Sequence, residues 1–523
     1  MLKKLTVAVS AALISSSAFA LSPTTVPDLE IFMSGASAQD KAIAGLFSDL
    51  CTANSLDTYK DLRTDGKRGK SHTAFFCTLD NTKLSASAQA AMTLTNPKVL
   101  FHKRSAGGSA QGVNPVLDLQ AIDAMVINNG NCTQIAGTTD WNCSIANPGD
   151  TVSVISDAGV SDVNPEMFIK DNTPAGSAPV DGAKVAANLE VRGAAALVFG
   201  VPVTTTLRDA LQVAQFGEAS DCVTDKFDPA LNNRAAAAES ERCMPTLSKQ
   251  QVATIMTGSV REWNSFKFNG VGLTDLIRSS TNSAISNLAP AFSDGTPFDA
   301  VHVCRRVNGS GTQAQMSAKF LHYPCTAGAD APEATGNLDL GPVVVLNSGS
   351  GDVTNCLNAY NDGIIIDTQN EFADKMWAVG VQSTEKNANL ADNFRFIKID
   401  GVAPTLENAV KGTYFDVVEQ TFQWRKGVAA NLPLEGDKLT IVSEIATNAS
   451  SPVELATNSG LNPKFNHTWG QAGYLALSTN GHTPSIPFVA TNPVTPYTHV
   501  RGATLDNCVV PRVNPNVQVN EVK

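Results

Sequence analysis

The sequence lacks the short motifs that mark a catalytic or metal centre. Its 523 residues contain no C-x-x-C, no H-E-x-x-H and no G-x-S-x-G pattern, and its seven histidines show no metal-ligand spacing. These absences give no indication of a zinc site, a metalloprotease centre or a serine-hydrolase nucleophile. We therefore expect neither an enzyme nor a bound metal or cofactor.

Clustered positive charge is also missing. The chain has 38 Lys and Arg against 49 Asp and Glu, which gives a formal net charge of −11 at pH 7. Nucleic acids and anionic membrane surfaces attract basic clusters, so neither is an expected partner. With 43% hydrophobic and 17% charged residues, the composition is globular, and the length suffices for two or three domains. The composition favours a globular protein whose partner is a small molecule.

Long apolar runs are confined to the N-terminus. Lys3 and Lys4 precede an apolar run from Leu5 to Ile14, and Ala18-Phe19-Ala20 fits an A-x-A cleavage site. This pattern predicts a signal peptide over residues 1–20 and a periplasmic or secreted location. No later stretch approaches the roughly 20 apolar residues of a membrane-spanning helix. The mature chain is expected to be soluble.

Cysteines, in contrast, are plentiful. Ten of them in a chain predicted to be exported indicate disulfide bonds, because the compartment is oxidising. Pairing of neighbours along the chain is a hypothesis, since sequence alone does not fix connectivity. Its five bonds would be Cys51–Cys77, Cys132–Cys143, Cys222–Cys243, Cys304–Cys325 and Cys356–Cys508.

One unit recurs along the chain: a short strand, a loop of small residues and a helix. The first unit has a strand at Leu29 to Met33 and a loop at Ser34 to Ala38. The second joins the strand Lys98 to His102 to the loop "KRSAGGSAQG", and the third is "VHVCRRVNGSGTQAQMSAKFL", Val301 to Leu321. Strands that alternate with helices predict an α/β fold with parallel strands. Ligands of such folds bind at the carboxyl ends of the strands, where these loops lie.

The third loop, Asn308 to Thr312, has the composition of an anion-binding turn. The first turn of a helix leaves N–H groups unpaired and carries partial positive charge, and glycines let the backbone approach a ligand closely. Arg306 could add a two-pronged contact. A tight turn in which Thr312 caps the helix is the alternative interpretation, and convergence of the three loops would favour the anion site.

Several segments together resemble a known family. In chain order they are "MSGASAQDKAI", "SAQGV", "GVSD", "LSKQQVATIMTGSVREWN", "RRVNGSGTQAQMSAKFL" and "IDGVAPTLENAVKGTYFDV". They resemble, in the same order, segments of the phosphate-binding proteins of bacterial ABC transporters, including that family's G-A-G-A-T-F, S-S-G-G-V, G-A-S-D and R-x-D-G-S-G-T patterns. The resemblance spans most of the chain.

The resemblance implies a two-lobed periplasmic-binding-protein-like fold of type II that closes on one tetrahedral oxyanion. The first lobe would take residues 21–200, the second lobe 201–412, and the return to the first lobe with a C-terminal extension 413–523. The two crossing segments would lie at Ala195 to Val203 and near Thr413 to Val417. Cysteine-bounded insertions at Cys132 to Cys143 and Cys222 to Cys243 exceed the usual family pattern.

The resemblance also implies a set of ligand-binding residues. Ser105 competes with Ser109, because "RSAGG" also fits the family motif, and Gln39 and Asp40 replace the family's threonine and phenylalanine. Asn308 replaces the aspartate beside the arginine. The implied ligand-binding residues are Ala38, Gln39, Ser109, Asp162, Arg306, Ser310, Gly311 and Thr312.

Three functions remain in competition at this point. The resemblance implies binding of phosphate or a similar oxyanion for uptake or scavenging, with an ABC permease as a candidate partner. A secreted or surface interaction protein on the same scaffold is the second, and the Gln39 and Asp40 replacements and the insertions would suit it. A secreted phosphatase is the third, but no histidine lies near the Gly-Ser-Gly-Thr loop in the sequence.

Overall fold

The computed structural model describes residues 21–62, 68–227, 235–290, 299–333, 342–365, 374–458, 461–502 and 504–517. The predicted signal peptide, residues 1–20, lies outside the described residues. Within the described ranges, no helix combines the length and apolarity needed to cross a membrane.

The described strands have 2 to 16 residues, and β10 is the longest of them. In chain order they are β1 Leu29–Gly35, β2 Asp57–Leu62, β3 Arg68–Thr78, β4 Lys98–Arg104, β5 Ala121–Met125, β6 Cys132–Gln134, β7 Asp140–Cys143, β8 Thr151–Ile155, β9 Ala158–Ser161, β10 Leu189–Thr204, β11 Thr246–Leu247, β12 Lys267–Phe268, β13 Val271–Gly272, β14 His302–Arg306, β15 Val343–Asn347, β16 Ala378–Gly380, β17 Gln382–Ser383, β18 Phe394–Ile399, β19 Val417–Arg425, β20 Asn466–His467, β21 Gly470–Gln471, β22 Tyr474–Leu477, β23 Val494–Thr495, β24 Tyr497–Thr498, β25 Val500–Arg501, β26 Thr504–Leu505 and β27 Arg512–Val513.

The helices alternate with these strands through most of the chain. They are α1 Asp40–Asp49, α2 Ala86–Ala91, α3 Asn114–Asp118, α4 Gly182–Asn188, α5 Thr205–Phe216, α6 Asp221–Phe227, α7 Ala235–Ala238, α8 Lys249–Met256, α9 Leu273–Arg278, α10 Ser283–Ser286, α11 Gly311–Leu321, α12 Ser350–Asp362, α13 Leu406–Val410, α14 Gly436–Ala449 and α15 Pro452–Thr457, with a 3₁₀ turn at Ser109–Gly112 that bears on the site.

Two sheets share strand β10. The first sheet has the order β6, β7, β2, β3, β4, β1, β9, β19, β10, β22, β23. The second has the order β15, β14, β16, β10, β18, β11. Residues Leu189 to Val198 of β10 pair in the first sheet, and Val201 to Thr204 pair in the second.

The chain therefore passes from the first sheet to the second within β10, and it returns between β18 and β19. The predicted first crossing, Ala195 to Val203, lies inside β10. The α/β class predicted from the sequence is confirmed, and so is the presence of disulfide bonds. The lobe boundaries given above remain a division proposed from the sequence.

Strand β14 is buried along its whole length because helices cover both of its faces. Val303 belongs to the apolar cluster that includes Ala314 and Met316 of α11. Its neighbour Cys304 points to the opposite face by the two-residue period of a strand, and it shares a cluster with Leu357 of α12. The helix α11 is buried at every one of its positions.

Three of the five hypothesised disulfide bonds are present: Cys51–Cys77, Cys132–Cys143 and Cys222–Cys243. The last two were wrong, because the structure contains Cys304–Cys356 and Cys325–Cys508. The physical reason is that the two cysteines lie on opposite sides of strand β14. Cys304 points toward α12, which carries Cys356, whereas Cys325 follows α11 on the other face and meets the C-terminal segment.

We predict that peptide mapping of the unreduced protein recovers Cys304 crosslinked to Cys356 and Cys325 crosslinked to Cys508. The expectation follows from the opposite faces of β14 that α11 and α12 cover. The three local bonds serve as internal controls, since their peptides must appear in the same digest. Recovery of a Cys304–Cys325 peptide from native protein would contradict the assignment of faces.

Candidate functional site

Loops that follow parallel strands of both sheets meet in one buried corner. Strands β1, β4 and β9 are parallel neighbours in the first sheet, and β14 and β15 are parallel in the second. Helices α1, α11 and α12 begin in these loops at Asp40, Gly311 and Ser350. The first turns of helices leave N–H groups without intrahelical acceptors and carry partial positive charge. This corner is therefore suited to a negatively charged group.

Arg306, the last residue of β14, places its guanidinium in this corner with 2% of the residue exposed. Its Nε donates to the carbonyl of Asn347 at 3.2 Å, and its Nη2 donates to the carbonyl of Ser348 at 2.6 Å. Its Nη1 donates to the hydroxyl of Ser37 at 3.2 Å. All three acceptors are neutral.

The charge of Arg306 lacks a direct counter-ion. Among the residues that the structure describes, no carboxylate lies within ion-pair distance of its guanidinium. Burial lowers the pKa of Arg306 to about 10, and the more distant Asp162, Asp352 and Asp40 act in the opposite direction. The group still carries its charge at neutral pH. A buried cation without a paired anion is costly, so binding of an anion would stabilise this corner.

Asp162, directly after β9, has the largest opposing effect on the pKa of Arg306, and it is 1% exposed. Its backbone N–H donates to Ser109 Oγ at 3.1 Å, and its Oδ2 accepts from Thr312 Oγ1 at 3.3 Å. Burial raises the pKa of Asp162 to about 6, against the lowering effects of Arg306 and of hydrogen bonds from Gln39 and Thr312. The carboxyl therefore changes its protonation close to neutral pH.

Ser109 and Ser105 take different places. The Ser109 hydroxyl lies beside Asp162, in the corner. The Ser105 hydroxyl instead donates to Asp40 Oδ1 at 2.7 Å and accepts from Lys103 Nζ at 3.1 Å. Of the two serines that compete for the motif, the structure brings Ser109 together with Asp162 and Thr312.

Asp40, the residue that replaces an apolar one of the family pattern, is paired. Lys103 Nζ lies 3.0 Å from Asp40 Oδ1 and also donates to the carbonyls of Gly35 and Ala36. The lysine is 2% exposed, whereas the side chain of Asp40 is 32% exposed, so this ion pair is buried on the lysine side only. The pairing compensates the negative charge of Asp40 at the edge of the corner.

The remaining predicted residues are buried in or around the corner. Gln39 Nε2 donates to the carbonyl of Ser161 at 2.9 Å and lies 3.5 Å from Asp162 Oδ1. The Ala38 carbonyl accepts a hydrogen bond from Tyr474 at 2.9 Å. Ser310 is the N-cap of α11, where its hydroxyl accepts from the N–H of Gln313. The cap expected at Thr312 therefore lies two residues earlier.

Glycines allow the two sides of the corner to touch. A Cβ on Gly311 would lie 2.3 Å from Ser109 Oγ and 2.8 Å from Asp162 Cβ. Gly108, with φ +74°, would bring a Cβ within 2.8 Å of the Cα of Ser310. Any side chain at these positions would separate the loop after β14 from the loops of the first sheet.

Sequence reasoning missed the fourth loop of the corner. Strand β15 leads through Ser348 and Gly349 into α12, and the Ser350 N–H donates to Ser37 Oγ at 3.2 Å. The stretch "VVVLNSGSGDV" shows the same strand, small-residue loop and helix pattern as the other three, so the signal was present. The buried pair Glu385 and Lys386, 2.9 Å apart, had no comparable signal.

Comparison with known proteins gives structural likeness only. No protein-family model and no curated protein matches the chain. Among solved structures, a putative phosphate ABC transporter substrate-binding protein with bound phosphate from Clostridium perfringens is similar, with 12% identity and a TM-score of 0.36. That match covers 80% of this chain and 92% of the other.

Two further solved structures are similar in the same way. A phosphate-binding protein from Stenotrophomonas maltophilia has 13% identity and a TM-score of 0.33, over 84% of this chain and 99% of the other. PstS from Borrelia burgdorferi has 9% identity and a TM-score of 0.29, over 80% and 92%. At these values the likeness does not bear on what this chain binds, and the function is argued from its own residues.

The raised pKa of Asp162 predicts a pH-dependent stability difference. The folded protein holds this proton up to about pH 6, whereas an unfolded aspartate releases it near 3.8, so the contribution of Asp162 to stability is full below pH 4 and falls as pH rises to 6. Relative to Asp162→Asn, the wild type should lose about 2 to 3 kcal/mol across this window. Urea unfolding in phosphate-free buffer measures the free energy of unfolding of both proteins at each pH. Parallel pH profiles for the two proteins would contradict the raised pKa of Asp162.

Proposed function

We propose that this chain is an exported solute-binding protein that binds a tetrahedral oxyanion, most favourably phosphate, in the corner around Arg306. The observation that carries the proposal is the buried guanidinium of Arg306, which meets only neutral acceptors within the described residues. An oxyanion is the group that a planar guanidinium binds best, through two parallel hydrogen bonds.

The surrounding donors support the same ligand. The first turns of α11 and α12 supply backbone N–H groups and partial positive charge, and Ser109, Ser310 and Thr312 supply hydroxyls. An oxyanion with several oxygens can accept from all of these groups at once. In the proposal, the anion enters between the contacting loops and replaces some of the direct contacts between them.

The carboxyl group of Asp162 favours phosphate over sulfate as the ligand. Above about pH 6 its carboxylate can only accept hydrogen bonds, so it favours a ligand that carries a proton. Phosphate at neutral pH carries at least one proton, and sulfate carries none. The contact between an ionised Asp162 and sulfate would be repulsive, which gives discrimination by one unfavourable interaction.

Uptake or scavenging is the role that the proposal assigns to this binding. The predicted signal peptide and the motif resemblance to transporter-associated binding proteins support an extracytoplasmic role with an ABC permease as a candidate partner. No catalytic step is part of the proposal. The alternative, an interaction protein on the same scaffold that binds no oxyanion, is one outcome of the tests below.

Arg306→Ala should weaken phosphate binding by roughly 2 to 4 kcal/mol, because it removes one partner of a buried charged contact. Calorimetry on protein freed of endogenous anion measures the change. Acid denaturation of purified wild-type protein should release bound phosphate, and the variant should release far less.

Arg305→Ala is the matched control. Arg305 is also buried, but its guanidinium donates to the backbone carbonyls of Arg306, Pro332 and Glu333 and to Asn308 Oδ1, and it shares none of the acceptors of the Arg306 guanidinium. Its loss should lower stability while the phosphate affinity changes little. Equal affinities for wild type and Arg306→Ala, both folded, would refute the site and favour the interaction protein.

Asp162→Asn should relax the rejection of sulfate, since an amide keeps the shape and supplies an N–H donor. Phosphate affinity should change less than sulfate affinity. The wild type should also bind sulfate better as pH falls below about 6, where Asp162 takes up its proton. Competition calorimetry at pH 5 and pH 7.5 checks both effects, and an unaltered phosphate-to-sulfate ratio in the folded variant would remove Asp162 from recognition.

A further inference from the structure

A second cavity lies away from the oxyanion corner. Its walls are α11, the return segment (residues 412–419) and the C-terminal segment (residues 495–511). Its volume is about 310 Å³, within the roughly 300 to 1,000 Å³ of typical small-molecule sites. The Cys325–Cys508 bond fastens the C-terminal segment to the end of α11 beside this cavity. The walls are therefore held together covalently.

Lys319 of α11 brings a buried ammonium group to the cavity. The residue is 8% exposed, and its Nζ lies 2.6 Å from Nε2 of His499. Burial lowers the pKa of His499 to about 4, so the ring is neutral and Nε2 accepts this hydrogen bond. Within the described ranges no carboxylate lies within ion-pair distance of Lys319, and two of its three N–H donors have no hydrogen-bond acceptor among the described residues.

Lys249 adds a second cation to the same cavity. Its Nζ lies 4.8 Å from the centre of the Phe415 ring, a favourable cation–π distance. In the described part of the chain, Lys249 likewise has no carboxylate at ion-pair distance. Burial lowers the pKa of both lysines, and Asp416 opposes this effect in each case. Two ammonium groups thus face one space without a direct ion pair among the described residues, and the buried Asp416 attracts both of them from beyond ion-pair distance.

An unpartnered acceptor lies in the same cavity. Glu419 is 1% exposed, and its Oε1 accepts from the N–H of His499 at 2.8 Å. Its Oε2 has no hydrogen-bond partner among the described residues. A buried carboxylate oxygen without a donor is unfavourable. The cavity therefore offers unmet donors and an unmet acceptor together.

Apolar and aromatic side chains form the rest of the lining. Tyr414, Phe415 and Tyr497 supply aromatic surface, and Val510 and Pro511 of the C-terminal segment supply aliphatic surface. A ligand that fills the cavity must therefore present a charged end toward the lysines, a donor toward Glu419 and an apolar body toward this wall.

We infer that this cavity binds a free α-amino acid with an apolar side chain. Its carboxylate would lie between Lys319 and Lys249, its ammonium group would donate to Glu419 Oε2, and its side chain would contact the aromatic wall. A simple carboxylate would leave Glu419 unpaired and facing a like charge, and a simple amine would leave both lysines unpaired. Only a ligand with both groups satisfies both sets.

The site is separate from the proposed oxyanion corner and does not depend on it. The corner is formed at the N-terminus of α11, around Arg306 and Gly311, whereas Lys319 lies in the last turn of the same helix. Binding of an amino acid should therefore persist in Arg306→Ala, which distinguishes the failure of one proposal from the failure of the other.

Calorimetric titration of the intact oxidised protein with L-leucine and L-phenylalanine tests the inference. At least one of them should bind, and the matched analogues 4-methylpentanoate and 3-methylbutylamine, which each lack one charged group of leucine, should bind roughly tenfold more weakly or worse. No heat from either amino acid, or equal affinity for an analogue, would overturn the assignment.

Variants locate the binding. Lys249→Met, at a partly exposed position, and Glu419→Gln should each weaken amino-acid binding by roughly tenfold or more, because each removes one of the charged contacts. Lys184→Met, at an exposed lysine of α4 paired with Asp118, is the control and should leave affinity unchanged. Binding that survives both Lys249→Met and Glu419→Gln would place the amino acid elsewhere and refute the inference.

Discussion

A permanently charged guanidinium, buried where two sheets meet, is the constraint that organises this protein. Arg306 cannot release its proton at physiological pH, so the loops around it must solvate it. They do so with the carbonyls of Asn347 and Ser348 and the hydroxyl of Ser37, which come from both sheets. The close approach of Gly108 and Gly311 to the opposite side and the pairing of Asp40 with Lys103 follow from closing these loops around one charge.

Much of this corner could be predicted from the sequence because it depends on local pattern. A strand, a small-residue loop and a helix start each have a characteristic pattern of consecutive residues, and this pattern predicts three of the four loops. The fourth, after β15, carries the same pattern and was overlooked. Arg306 could be placed on the face of β14 opposite Arg305 by the two-residue period of a strand, and the two arginines do have separate sets of acceptors.

The parts that could not be predicted depend on register and on which face a helix covers. Lys103 reaches Asp40 because β1 and β4 pair in parallel with Met33 opposite Lys103, and no local pattern records that alignment. The two disulfide errors have the same origin, since spacing along the chain does not tell which side of β14 receives α11. The proximity of the charged groups around Lys319 could not be predicted either, because α11, the return segment and the C-terminal segment contribute them from distant positions in the sequence.

The interleaved connectivity of the last four cysteines sets the order in which the chain can be oxidised correctly. Cys325 lies between Cys304 and Cys356 in sequence but pairs with Cys508, so these two covalent rings overlap, whereas the three earlier bonds close one after another. A chain oxidised from its N-terminus onward would expose Cys304 and Cys325 together before either native partner is available. A Cys304–Cys325 bond formed at that stage would have to be replaced by thiol–disulfide exchange, so the native pairing of these four cysteines differs from the pairing that their order along the chain favours.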